Sequence, residues 1–202
     1  MRVFIVISAY LLTLATATAL RNNQPETWQS PNGKYVIKEM FYGEGKLVRG
    51  IFVHVATGAT ATIYPGGARS LYVLWSPDSH YVAVDADRTK YRGEVKLFRV
   101  ERGKIAEIAL PPNMDARNYL SADTKEHLGS LAFEGMHTTR WIDNSKIEIV
   151  SETLASRLDS PKGEDVAQHF IIELSRGEAK IMKTYPEKGD YPAICVEFGL
   201  AI

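Results

Sequence analysis

Residues 75–84 have the sequence WSPDSHYVAV, in which a tryptophan and a Ser-Pro-Asp turn precede a strand with alternating apolar residues. Two other segments have the same form: residues 29–37 are QSPNGKYVI, and residues 141–150 are WIDNSKIEIV. Pro, Asn, Asp, Gly and Ser favour turn dihedrals, and alternating apolar residues are typical of a strand with one buried face. The sequence therefore predicts a turn-and-strand unit that occurs three times.

A second repeated segment follows each of these units, at residues 52–63, 97–108 and 171–181. Each is a strand, a short turn with a glycine (Gly58, Gly103 or Gly177) and a returning strand, and a tight hairpin often needs the positive φ that glycine allows. The first two units are 46 residues apart at their Ser-Pro pairs and 45 apart at their hairpin glycines. A period of about 40–45 residues with four strands is the signature of a propeller blade.

These offsets predict an all-β protein of three four-stranded antiparallel blade-like modules within a single domain, residues 20–202. The first module lacks a clear first strand, because residues 21–27 are polar. An apolar run at residues 191–198 is predicted to supply that strand or to cap an exposed sheet edge.

The third module is displaced by more than one period, since Trp75 and Trp141 are 66 residues apart and Gly103 and Gly177 are 74 apart. Two insertions account for the excess, near residues 111–135 and 153–165. Residues in the first recur near helical spacing, which predicts a short amphipathic helix that either contacts a partner or plugs an open end of the sheets. The second is polar, with Pro161 and Gly163, and is predicted to be an exposed loop.

The Ser-Pro-Asp/Asn turn, the preceding Trp and the following Tyr-Val strand resemble the propeller repeats of TolB and of prolyl oligopeptidase-like proteins. Residues 30–35 and 75–78 carry the resemblance; Ile142-Asp143 replaces Ser-Pro in the third module, and Trp28 is one residue out of step with Trp75. The resemblance implies blades but no hydrolase activity, which needs a separate α/β domain. Closed propellers usually have four to eight blades, so three modules imply an open array, a six-bladed ring of two chains, or a sandwich or barrel.

The first nineteen residues predict a secretory signal peptide. Arg2 precedes an apolar run at residues 3–15, and Ala17-Thr18-Ala19 is a small-x-small cleavage pattern. The run is short for a bilayer span of about 20 residues, which favours a cleaved leader over a membrane anchor. We therefore expect a periplasmic or secreted protein without a stable membrane span after cleavage.

Chemical motifs are sparse. A zero formal charge does not favour nucleic acid, the single Cys195 lies in an apolar run and is expected to be a buried hydrophobe, and no nucleophile elbow or metal-ligand spacing occurs. We predict no catalytic residue, metal or cofactor.

The resulting hypothesis is an exported, non-enzymatic binding or scaffold protein that contacts another protein. Candidate binding residues are Tyr119, Leu120 and His127 in the first insertion, and Tyr91 and Arg92 in a basic-aromatic hairpin. One alternative is an envelope hydrolase or lyase acting on a glycan or peptide, with Arg140, His137, Tyr72 and Asp78 around a shared axis. The other is a self-associating structural subunit, that is, a homo-oligomer.

Overall fold

A computed structural model describes residues 25–43, 47–89, 92–158 and 163–186. The predicted leader, Cys195 and the apolar run at 191–198 lie outside the described residues. Within them the chain is built from strands, with one 3-10 turn at Ala116–Tyr119 and one short helix, α1, at Ala122–Glu126. The strands are β1 Thr27–Gln29, β2 Tyr35–Tyr42, β3 Leu47–His54, β4 Thr60–Ala68, β5 Ser70–Trp75, β6 Tyr81–Thr89, β7 Arg92–Glu101, β8 Lys104–Ile108, β9 Leu128–Trp141, β10 Lys146–Arg157, β11 Glu164–Ser175 and β12 Glu178–Pro186.

The strands form the three predicted four-stranded antiparallel modules: β1–β4, β5–β8 and β9–β12. The all-β prediction is confirmed. The first strand of module 1 is β1, which begins at the last residue of the polar run and pairs with residues 36–38 of β2, so the polar run does contribute to this strand.

Modules 2 and 3 are joined in one eight-stranded sheet through a parallel bridge between β7 and β9, at Arg92 and Glu134. The backbones come close beside this bridge: a Cβ added at Gly93 would lie 3.2 Å from the carbonyl oxygen of Met136. Glycine therefore permits the approach that joins the two modules.

Strands extend into both of the predicted insertions. The helical part of the first ends with α1, and β9 begins at Leu128, because Gly129 and Gly135 are poor helix residues and the segment pairs with β10 as far as Arg157. In the second, β10 and β11 extend into the predicted loop, since Thr153 and Ala155 are fully buried.

The Ser-Pro turns have the same hydrogen bonds in modules 1 and 2. The Ser76 Oγ accepts from the Tyr81 amide at 2.9 Å and donates to the Asp78 carboxylate at 2.8 Å. The Ser30 Oγ makes the same bonds with the Tyr35 amide and with Asn32, at 3.0 and 2.9 Å. These side chains satisfy turn amides that the sheet leaves unpaired, which is why the motif marks the start of each second strand.

Tryptophan holds each module to the one before it. The Trp75 indole N–H donates to the Trp28 carbonyl at 3.2 Å, and the Trp141 indole donates to the Leu74 carbonyl at 3.0 Å. Trp75 also stacks on Tyr35 of module 1, with 6.3 Å between ring centroids, and Trp141 stacks on Tyr81 of module 2 at 6.2 Å. The same aromatic contact thus occurs at both junctions.

Two apolar clusters place module 2 between the other two. Tyr35 and Ile37 of β2 share one cluster with Val82 and Val84 of β6. The alternate residue of β6, Ala83, belongs to a second cluster with Ile147 and Ile149 of β10. Because successive side chains of a strand point to opposite faces, module 2 has both faces buried and modules 1 and 3 each have one outer face.

A half-buried carboxylate adds a polar contact to the second junction. Asp85 on β6 accepts hydrogen bonds from the Thr138 amide at 2.8 Å and from the Thr138 hydroxyl at 2.9 and 2.8 Å. Burial raises the pKa of Asp85 to about 7, although the bonds from Thr138 act in the opposite direction. The carboxyl is therefore partly protonated at neutral pH.

We expect Asp85→Asn to stabilise the protein at pH 8 and to have little effect at pH 4. The folded pKa lies above the unfolded value of about 3.9, so ionisation destabilises the fold increasingly from about pH 4 to pH 7, and an amide removes this cost of about 2 kcal/mol or more. Denaturant unfolding of both proteins at the two pH values measures it. Equal stability differences at both would contradict the prediction.

Trp141→Phe is expected to lower the free energy of unfolding by about 1–3 kcal/mol, because it removes a hydrogen bond and packing volume. Trp28→Phe is the matched control, since Trp28 packs against the first cluster and its indole donates to no described residue. We expect a smaller loss of unfolding free energy in Trp28→Phe. An equal loss in the two variants would show that the indole N–H of Trp141 contributes nothing to the junction.

Candidate functional site

The outer face of module 3 departs from the repeat at one row of cross-strand neighbours. In module 1 the row is Trp28, Ile37, Phe52 and Ala61, and in module 2 it is Leu74, Ala83, Leu97 and Ile108. In module 3 the row is Arg140, Glu148, Ile171 and Lys183, which we call the outer row. Three charged residues thus replace an apolar row that elsewhere forms the core.

Glu148 is the centre of this face, and its carboxylate is saturated with donors. The side chain of Glu148 is 6% exposed, and its Oε2 accepts from the Arg140 Nε at 2.9 Å. Its Oε1 lies 3.0 Å from the His169 Nδ1 and accepts from the Tyr185 hydroxyl. These contacts compensate for the burial of the charge.

The hydrogen bonds decide the charge state of the site. Burial alone would raise the pKa of Glu148, but the bonds from Tyr185, His169 and Arg140 outweigh it and lower the pKa to about 2. The hydrogen bond to Glu148 in turn raises the pKa of Tyr185. Glu148 is an anion and Tyr185 a neutral donor throughout the physiological range.

Aromatic stacking fixes the remaining side chains. The His169 and Tyr185 rings are parallel, with centroids 4.8 Å apart, and the Lys183 ammonium lies 5.1 Å above the Tyr185 ring. A cation over an aromatic face is attracted by the ring quadrupole. Arg140, at one end of the outer row, therefore contacts Glu148 directly, and Lys183, at the other end, contacts the Tyr185 ring whose hydroxyl donates to Glu148.

We expect Glu148→Gln to destabilise the protein at pH 7 by up to about 3 kcal/mol, a limit set by the difference between the folded pKa and the unfolded value of about 4.3. The folded pKa is the lower, so this stability is present above about pH 4.3 and is lost as the pH falls toward 2. Urea unfolding at pH 7 and pH 3 measures the change. Glu173→Gln, on the same face and half-exposed, is the control, and a Glu148→Gln deficit that does not shrink at pH 3 would contradict the assignment.

The first insertion covers the end of the second cluster and also presents exposed residues. Met114, Ala116 and Leu120 are buried, and the Ala116 amide donates to the Ser151 Oγ at 3.0 Å. Tyr119 is 42% exposed, with its ring edge-on to Phe170. The insertion thus plugs the sheets with one side and is exposed on the other.

The end of the insertion meets the β9–β10 hairpin at two leucines. Leu128 is 38% and Leu158 is 81% exposed; the Leu158 amide donates to the His127 carbonyl at 2.9 Å, which places them side by side. We call Tyr119, His127, Leu128 and Leu158 the insertion surface. Of the other candidate residues, Leu120 is in the core, Arg92 begins β7, and Tyr91 lies outside the described residues.

An ion pair and hydrogen bonds hold the insertion surface in place. Arg157 on β10 pairs with Asp123 of α1. The Glu164 carboxylate on β11 accepts from the Ser121 amide at 3.0 Å and from the Ser121 hydroxyl at 2.8 Å. The helix is therefore fixed to module 3 from two strands.

The residues of the hydrolase alternative are not brought together by direct contacts. Arg140 bonds to Glu148, and the Asp78 carboxylate bonds to His80 and Ser76 within its own turn. Among the described residues, no hydrogen bond or ion pair joins Arg140, His137, Tyr72 and Asp78 to one another. They do not form a constellation in which one side chain activates another.

Sequence reasoning missed Glu148, His169 and Tyr185, although a signal was present. The alignment of residues 75–84 with 141–150 places Glu148 opposite the apolar Val82, and a glutamate in an apolar column marks a face that does not enter the core. The partners from β11 and β12 depend on strand register, which the alignment does not supply.

The described ranges contain neither a metal cluster nor a membrane-spanning helix. There, no group of three or more His, Cys, Asp or Glu side chains is arranged to hold a metal ion. The helices in these ranges are all too short to cross a bilayer.

Comparison with protein-family models finds no match, and neither does comparison with curated proteins. Solved structures with similar folds include a putative TolB from Agrobacterium tumefaciens, at 12% identity and a TM-score of 0.36, covering 83% of this chain and 52% of that chain. A hydrazine synthase from Kuenenia stuttgartiensis is 16% identical with a TM-score of 0.34, covering 64% and 39%. An acylaminoacyl peptidase bound to a chloromethyl ketone is 8% identical with a TM-score of 0.40, covering 76% and 23%.

The chain spans about half the length of the TolB-like protein, 52%. At these identities and TM-scores the superpositions carry no functional argument. The repeated turn, four-stranded module and stacked order support the resemblance independently: the chain consists of blade-like modules similar to the propeller repeats of TolB and prolyl oligopeptidase-like proteins.

Proposed function

We propose that this chain is an exported, non-enzymatic binding protein that recognises another protein through the insertion surface. The leader pattern at residues 1–19 supports export to the periplasm or extracellular space. The observation that carries the binding role is the exposure of Leu128 and Leu158, at 38% and 81%, beside a helix fixed by an ion pair and hydrogen bonds.

Exposed leucines on an ordered support favour a protein partner. Scattered apolar side chains are normal on a protein surface, but Leu128 and Leu158 are neighbours, and charged groups of Asp123 and Arg157 border them. An apolar centre with a polar rim is the usual anatomy of a protein interface. The insertion needs no rearrangement to present it, so little entropy is lost on binding.

The test is cross-linking in intact cells followed by affinity purification of the tagged protein and quantitative mass spectrometry. We expect Leu128→Asp with Leu158→Asp to reduce recovery of the specific partner by about tenfold or more, because each 1.4 kcal/mol of lost binding energy is tenfold in affinity. Met40→Asp is the matched control, since Met40 is 48% exposed on module 1.

An unchanged partner set in the double variant, with the fold verified by circular dichroism, would overturn the insertion surface as the contact site. Light scattering on the purified protein distinguishes the self-associating alternative: a mass above that of the monomer that the double variant lowers would assign the surface to a second copy instead.

A further inference from the structure

We propose that the outer row is a second binding site, for a ligand carrying carboxylate or phosphate oxygens. It lies on the outer face of module 3, whereas the insertion packs against Ser151 and Phe170 on the opposite side of the sheet. The two sites are therefore independent.

Arg140 supplies the first donor. Its side chain is 70% exposed, and among the described residues its guanidinium bonds only to Glu148, through Nε. That bond fixes the guanidinium plane and leaves both terminal Nη groups uncommitted. Two parallel N–H donors in a fixed plane match the oxygens of a carboxylate or phosphate.

Lys183 supplies the second donor from the other end of the row. Its ammonium lies over Tyr185, and no carboxylate in the described ranges pairs with it. Tyr185 donates to Glu148, so the ring that carries the ammonium is itself held to the centre of the site. Both cations are thus positioned through Glu148.

The charge of the row is not balanced internally. Glu148 compensates one of the two cations, and its oxygens are already occupied by Arg140, His169 and Tyr185. One positive charge therefore remains uncompensated, together with the exposed Nη groups of Arg140 and the Lys183 ammonium. A bound anion would neutralise this charge and accept hydrogen bonds from these donors. His137, which pairs with Val150 beside Glu148 on the same face, adds another polar side chain without a described partner.

The contrast with modules 1 and 2 indicates that the charged residues of the outer row are not an incidental feature of an exposed face. The equivalent rows bury Ile37 and Phe52, or Ala83 and Leu97, against the next module. A terminal face needs only solubility, which scattered charges provide. The Glu148 carboxylate, held by three donors from β9, β11 and β12, goes beyond that need, because it orders the side chains around it.

The experiment is calorimetric titration of the purified protein with inorganic phosphate and, separately, with citrate, at constant ionic strength set with sodium chloride. We expect saturable binding of at least one anion, with Lys183→Gln and Arg140→Gln each weakening it by about tenfold. Lys183→Gln breaks no bond to Glu148, so it tests the site even if Arg140→Gln is less stable. Arg140→Lys keeps the positive charge but loses the planar pair of N–H donors, so its anion affinity should lie between those of the wild-type protein and Arg140→Gln.

Lys38→Gln is the matched control, because Lys38 is an exposed lysine on the outer face of module 1 with no ion pair to a described residue. Tighter citrate binding would assign a carboxylate ligand, and tighter phosphate binding a phosphoryl ligand. No saturable binding, or an equal loss in Lys38→Gln, would overturn the proposal. Because neither variant touches Leu128 or Leu158, either site can fail without the other.

Discussion

The fold depends on the stacking of one sheet face upon the next. Each junction combines an apolar row, a tyrosine from the earlier module and a tryptophan from the later one, and the indole hydrogen bond at 3.2 or 3.0 Å fixes how far the modules slide past each other. A single repeat module cannot bury its apolar face by itself, so the modules must stack to form a continuous core. This stacking buries both faces of module 2 and one face each of modules 1 and 3.

The need for each apolar face to be covered by another module also explains why the outer face of module 3 is polar. A face that is not covered by another module must become polar or find a different cover. Glu148 in the centre of that face is stable there only because Arg140, His169 and Tyr185 surround it, and each of these comes from a different strand. The candidate anion site is therefore a consequence of the sheet's register rather than of any short motif.

Much of the architecture was predictable from the sequence, because turns and alternation are local. The Ser-Pro turns located β2 and β6, and the hairpin glycines Gly103 and Gly177 adopt positive φ of 78° and 90°. Strand length was less accessible: β10 continues to Arg157 because Thr153 and Ala155 are buried between neighbouring strands, which is a tertiary effect. Of the proposed site, the sequence located the insertion but not the faces on which Arg140 and Glu148 meet.

The tryptophan offset shows how one residue decides which end of the stack stays open. Trp75 pairs with Val82, the second residue of β6, but Trp28 pairs with Ile37, the third of β2, so its side chain points to the opposite face. Gln29 takes the position that tryptophan has in the other modules.

At the other end of the stack, in module 3, Lys146 takes the position of Tyr35 and Tyr81 as the first residue of its strand. Neither outer face retains its part of the aromatic contact, so a ring completed by a second copy requires contacts different from those within the chain.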